Sequence, residues 1–177
     1  RYGDLIGAVL GLELRSPRTD RIGGFLQPGF SMASGAIEGP ITKKSRFYIG
    51  FRRSYYEAIF ALFFPKDAVV DFATVPLLQD QQVVLETDLL DWMTLKFAYL
   101  GTLDAINILS REDDDGRQER VFSRSTVLNR FQFELEMRGP KGAVHVTKPA
   151  ISFWNTRFEI GETIDDTAFT SDRVMAH

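Results

Sequence analysis

The sequence predicts an all-β fold: an antiparallel, up-and-down β-barrel whose strands cross a membrane. Three observations lead there. In Arg130–Met137, Phe131, Phe133, Leu135 and Met137 alternate with Arg130, Gln132, Glu134 and Glu136, and a period of two is the pleat of a strand with one apolar and one polar face. The same alternation recurs around residues 45–53, 81–90 and 95–99. Connections also alternate between short and long, and the later strands run to about 10–16 residues against a usual length near 5–6. Alternation alone fits either a strand half-buried in a soluble core or one with lipid outside and water inside. Short turns on one rim and long loops on the other favour the barrel, because soluble sandwiches carry shorter strands and Greek-key crossings.

Composition narrows the class. The 177 residues suffice for one domain with a sizeable core, and 44% hydrophobic with 25% charged is a folded, not a disordered, balance. Fifteen Phe, five Tyr and two Trp favour strands. A net charge of -3 recommends no nucleic acid as partner. With no Cys there is no disulfide, thiolate or Cys-type zinc chemistry, which leaves the redox compartment open. No run approaches the roughly 18 apolar residues of a membrane helix, but a spanning strand needs only about 9–11. The chain opens on Arg1-Tyr2-Gly3-Asp4 without a starting Met or a leader, and is expected to be a mature product or a fragment.

In order, Arg1–Arg15 reads as a Gly-containing turn running into a short strand, and Ser16–Arg21 as a polar connector. Residues 22–39 hold two weakly marked strands, IGGFLQ and FSMASGAIEG, divided by Pro28-Gly29. After the turn 39–44, strand 45–53 sets Phe47, Ile49 and Phe51 against Arg46, Tyr48, Gly50 and Arg52. Tyr55–Gln79 loses the period, and its patch Ile59–Phe64 suits two helical turns within a long, partly structured loop. Gln81–Leu90 resumes it, Asp91–Met93 is a tight connection, and the next strand carries Leu95, Phe97 and Tyr99 toward Ile108. Ser110–Arg120 reads as a charged, solvated loop, Ser123–Met137 as a strand and Arg138–Gly142 as a turn. Ala143–Ile160 is a long strand interrupted at Pro149, and the tail 161–177 is expected to be irregular.

RYGDLIGAVLGLELR is similar to the last plug strand of TonB-dependent outer-membrane receptors, where R-Y-G-x-x-x-G-G-V-V-x-[IV] precedes the barrel. Arg1, Tyr2, Gly3, Gly7 and Val9 match, Leu10 and Leu12 are apolar stand-ins, and Ala8 and Gly11 depart from the pattern. SGAIEGPITKKSRFYIGFRRSYYEAI resembles the second barrel strand, the first periplasmic turn and the third strand of such receptors. The resemblance implies residues 1–21 as the end of a plug with its connector, and 22–177 as the N-terminal part of a transmembrane barrel of the plugged, roughly 22-stranded kind. It implies uptake of a scarce ligand (an iron chelate, cobalamin, glycan or peptide) driven by the TonB complex. The implied partners are the rest of the barrel and plug and the outer-membrane lipid.

In the barrel reading Arg46, Arg52, Glu86, Asp88, Lys96, Arg130, Gln132, Glu134 and Glu136 face the lumen. Phe47, Ile49, Phe51, Val83, Leu85, Phe97, Tyr99, Phe131, Phe133, Leu135 and Met137 then face lipid. The rival assignment makes the charged set the solvated face of a soluble sheet. Basic strand 45–53 and acidic strand 81–90 follow one another and are expected to pair across the ladder. Trp92, Tyr99 and Trp154, near strand ends, fit interface anchors and core residues equally. Asp113-Asp114-Asp115-Gly116 fails the EF-hand frame, which would put Arg111 and Phe122 at ligand positions. His145 and His177 are far apart, so no metal or cofactor is expected, and no catalytic motif is present, so no enzyme is expected. Two other roles stay open: a structural or assembly barrel in an outer-membrane complex, and a soluble periplasmic ligand-binding β-barrel or sandwich.

Overall fold

The computed structural model describes residues 14–56, 58–59, 72–112, 118–160 and 167–176. The alternating segments become β1 (Gly23–Pro28), β2 (Met32–Pro40), β3 (Ser45–Ser54), β4 (Phe72–Leu90) and β5 (Met93–Glu112). Then follow β6 (Gln118–Arg138), β7 (Val144–Thr147), β8 (Ala150–Ile160) and β9 (Thr167–Ala176). All belong to one antiparallel sheet in the order β1-β2-β3-β4-β5-β6-β8-β9, with β7 beside the end of β6. β7 and β8 therefore share one position, interrupted at Lys148-Pro149 as the proline predicts. The Pro149 carbonyl still accepts the Phe133 N–H at 2.9 Å, which carries β6 across the break. The meander is up-and-down, as expected. It is not closed into a barrel: β1 and β9 form its two edges.

Three expected irregular stretches contain strand instead. The expected loop Tyr55–Gln79 shrinks, because residues 72–79 pair with 103–110 of β5. Pro76 is tolerated in this strand because it lies beyond Gln79, where pairing with β3 stops, on an edge of the ladder. The start of the helical patch is present as one turn, Ala58 and Ile59 donating to Tyr55 at 3.1 and 3.3 Å; the rest lies outside the described residues. The charged loop expected over Ser110–Arg120 gives way to strand as far as Glu112 and from Gln118. Within the tail, Thr167–Ala176 is strand and pairs with β8 in continuous register, whereas 161–166 lie outside the described residues. Arg1–Glu13, Asp113–Gly116 and His177 lie outside the described residues, and Leu14 and Arg15 precede β1 without ladder pairing.

Register assembles the two faces. One face carries the rows Ile37–Ile49–Val83–Tyr99–Phe131–Ile151 and Phe47–Leu85–Phe97–Phe133. Phe97 and Phe133 stack at 5.1 Å, Tyr99 and Phe131 at 5.1 Å, and Phe131 meets Phe153 edge-on at 6.2 Å. These rings are in contact yet open to the outside: Phe133 is 49% and Phe51 51% exposed. The buried side chains of the sheet lie on the opposite face, among them Val84, Ala98, Glu86, Ser152 and Thr156. Burial is thus inverted relative to a soluble sheet, with small and polar side chains inside and large apolar ones outside.

The β6–β7 hairpin depends on two successive left-handed residues, Lys141 (φ 61°) and Gly142 (φ 78°). Gly142→Val is expected to lower the unfolding free energy in urea by about 1–2 kcal/mol, because a branched side chain is disfavoured there. Gly139→Ala, with φ at -90° and nothing nearer than 3.6 Å to the added methyl, is expected to be neutral or to stabilise by under about 1 kcal/mol.

Candidate functional site

Each polar-face position recurs every second residue, so antiparallel register alone decides which charges meet. Arg46, Glu86, Lys96 and Glu134 fall on one row across β3, β4, β5 and β6. Their signs alternate along it. Arg46 Nε donates to Glu86 Oε1 at 2.9 Å and Nη2 bonds the same oxygen. Lys96 Nζ lies 3.2 Å from Glu86 Oε2, and Lys148 Nζ 3.1 Å from Glu134 Oε2. One row on, Asp88 accepts from Arg46 Nη1 at 2.8 Å and from Thr94 Oγ1 at 2.9 Å. The Glu86 side chain is only 3% exposed, and its Oε2 has no hydrogen bond, because the Lys96 ammonium approaches off the bonding direction. An ion pair this deep persists only because cations flank it on both sides.

The connector lies over this face. Arg15 Nη2 donates to Glu38 Oε1 at 2.7 Å, the Arg18 N–H to Glu38 Oε2 at 3.2 Å, and Lys96 Nζ to Ser16 Oγ at 3.3 Å. Glu38 is directed inward because it shares a face with Ser34 and Ala36 on β2, opposite Tyr48. Beneath Ser16 lies a small polar cavity of about 120 Å³, walled by Arg46, Glu86, Lys96 and Glu134 among others. Further along the face is a larger hollow of about 460 Å³, floored by Gly50, Leu100 and Leu128 and bordered by Arg52, Asp80 and Arg130. Arg52 Nε donates to Asp80 Oδ2 at 2.6 Å.

All nine sequence-predicted polar residues (Arg46, Arg52, Glu86, Asp88, Lys96, Arg130, Gln132, Glu134 and Glu136) share this face, and the eleven predicted apolar residues share the other. The expected pairing of basic β3 with acidic β4 is present at Arg46–Glu86, Arg46–Asp88 and Arg52–Asp80. Arg130, Gln132 and Glu136 stand apart from the central row; Glu136 binds Arg138 at 2.8 Å. Of the aromatics, Tyr99 lies with the apolar rows, its hydroxyl donating to Asn129 Oδ1 at 2.8 Å. Trp154 lies opposite Leu128 on the polar face and donates to Thr156 Oγ1 at 2.9 Å. Trp92 occupies the exposed β4–β5 turn. Sequence reasoning missed Glu38, Asp80 and Lys148: the first sits among small residues, the other two beside stretches read as loop or break. Extending the period of two from Gln82 back to Asp80 would have found that one.

Among the described residues no group of three or more His, Asp or Glu could hold a metal ion, and no helix is long and apolar enough to cross a membrane. Compared with protein-family models, curated proteins and solved structures, the chain matches none.

Glu86→Ala is expected to cost about 3–5 kcal/mol in equilibrium unfolding, since it leaves the largely buried Lys96 ammonium without its carboxylate and removes one of the two that hold Arg46. Arg52→Ala, breaking a largely exposed pair, is expected to cost under about 1 kcal/mol. A loss of similar size in both would remove the distinction. In the connector, Arg18 donates to both Asp20 oxygens at 3.0 and 2.8 Å and holds that carboxyl down at about 2. The pair's contribution is complete above the ordinary carboxylate range and is lost as pH falls through about 2. By NMR titration, Arg18→Ala is expected to raise the Asp20 carboxyl back toward the ordinary carboxylate range, the backbone N–H groups of Asp20 and Arg21 still holding it below.

Proposed function

We propose that the chain is a wall segment of an outer-membrane receptor of the TonB-dependent kind, non-enzymatic, with its apolar face toward lipid and its polar face toward a water-filled lumen. The observation that carries this reading is the inverted burial: Phe51 and Phe133 are half exposed while Glu86 and Ser152 are buried. In water, a continuous exposed aromatic face and two open sheet edges would drive association; in a bilayer the same face is solvated by acyl chains. The apolar rows also have the right height. On β5 they run from Met93 to Leu103, which lies opposite Val127, matching the roughly 9–11 residues of tilted strand that cross a bilayer. Beyond them Arg157 and Glu159, on the same face, pair at 2.9 Å, at the level where such a band would meet water. β5 and β6 continue well past this level, as expected of strands that project toward ligand. Closure requires further strands beyond β1 and β9, which suits a segment of a larger barrel.

In this role the polar face guides a scarce ligand (an iron chelate, cobalamin, a glycan or a peptide) through the lumen. The connector, held by Glu38 and Lys96, ties the wall to a plug that TonB-coupled force displaces. Ligand class and TonB dependence come from the resemblance of the N-terminal third; the wall geometry supports only the orientation of the faces. Substitution tests that orientation. Phe133→Arg places a cation on the apolar face at about 2–4 kcal/mol near the bilayer midplane, and is expected to block assembly into outer membranes. Gln132→Arg, on the polar face, is expected to assemble normally. Equal assembly of both variants would overturn the lipid-facing assignment and favour the soluble periplasmic barrel. Uptake that survives loss of TonB would remove the TonB-driven mechanism, and no uptake at all would favour the structural role.

A further inference from the structure

The larger hollow on the polar face combines two features that the charged row lacks. Its floor is apolar: Leu100 and Leu128 lie beside Gly50, where a Cβ would stand 2.6 Å from the Tyr48 hydroxyl. The missing side chain thus lets the Tyr48 ring lean across the strand as a wall. Its charge is also unbalanced. Arg52 and Asp80 neutralise each other on one side. Arg130, on the other, has a hydrogen bond to Ser152 Oγ at 3.3 Å and no carboxylate partner among the described residues. The neighbouring acids are committed elsewhere, Glu134 to Lys148 and Glu86 to Arg46 and Lys96. A half-buried guanidinium with free donors beside an apolar floor is a receptor for a planar anion.

We infer that this hollow binds a small molecule with a flat, apolar body and a single carboxylate, the carboxylate on Arg130 and the body between Tyr48 and Leu128. A volume of about 460 Å³ lies within the range of about 300–1,000 Å³ that holds small ligands. One uncompensated cation calls for one negative charge, and Asp80 across the hollow repels a second. The inference deepens the proposed uptake role, on which it rests, by placing a ligand contact on the lumen wall. Tyr48 and Gln82, at the edge of the hollow, also border the space beside Leu14 and Arg15 of the connector, so a bound molecule would lie next to the segment that Glu38 holds.

The test is titration of 2-naphthoate, and of its neutral analogue 2-naphthamide, into the full-length protein in an uncharged detergent. Saturable binding of naphthoate is expected, weakened about tenfold or more by Arg130→Gln, the usual effect of losing a charged hydrogen-bonding partner. Arg130→Lys is expected to restore part of it, and naphthamide binding is expected to be the same in wild type and Arg130→Gln. Leu100→Trp, which fills the floor, is expected to abolish binding of both. Unsaturable naphthoate binding in the wild type, or equal affinity in Arg130→Gln that is folded by circular dichroism, would overturn the site. The two readings fail separately. Naphthoate binding with normal assembly of Phe133→Arg removes the membrane orientation and keeps the hollow, whereas blocked assembly without naphthoate binding removes the hollow alone.

Discussion

Because side chains alternate along a strand, a shift of one residue between β3 and β4 would set Arg46 beside Leu85 or Thr87 and turn every charged side chain of one strand onto the aromatic face of the next. The observed register, Arg46 opposite Glu86 and Phe47 opposite Leu85, avoids this at every step across β2 to β8. Two kinds of interaction hold it. On one face, the Arg46–Glu86–Lys96–Glu134 row pairs opposite charges directly across the ladder; on the other, Phe97–Phe133 and Tyr99–Phe131 stack at the matching positions. Each aromatic pair is worth about 0.5–1.5 kcal/mol beyond the area it covers. Slippage forfeits both sets together, which makes the register cooperative.

The same constraint accounts for the inverted burial. A row of long side chains with alternating charge folds down onto the sheet, because each head reaches sideways to its neighbour instead of outward to water. Glu86 is buried by its partners and by the connector above it. Ala98 and Val84, flanking positions on that face, are buried as well. Among the described residues no layer covers the apolar rows, and the buried side chains lie on the polar side. In the proposed role acyl chains lie against the other face, which is how the packing bears on the proposed location.

Much of this was legible in the residues. The period of two in Phe47–Phe51, Val83–Leu89 and Phe131–Met137 told which side chains share a face, and the proline at 149 told where β7 and β8 part. What escaped were segments whose strand character comes from their neighbours. Phe72–Gln79 carries a proline and no clean alternation, and Thr167–Ala176 is weakly patterned, yet each pairs along an exposed ladder of a strong strand. Glu38 was overlooked for a related reason: its importance comes from Arg15 and Arg18, which reach it from more than twenty and exactly twenty residues away.

The sequence by itself determined the strongly alternating strands, their two faces and the signs of the charges on each, because these follow from local alternation. Tertiary structure decided which charge meets which, that Glu86 lies buried while Phe133 does not, and that Arg130 alone borders a hollow without an acidic partner among the described residues. Those facts depend on register and on the path of the connector, which are properties of strands meeting across the ladder and cannot be read from any one of them.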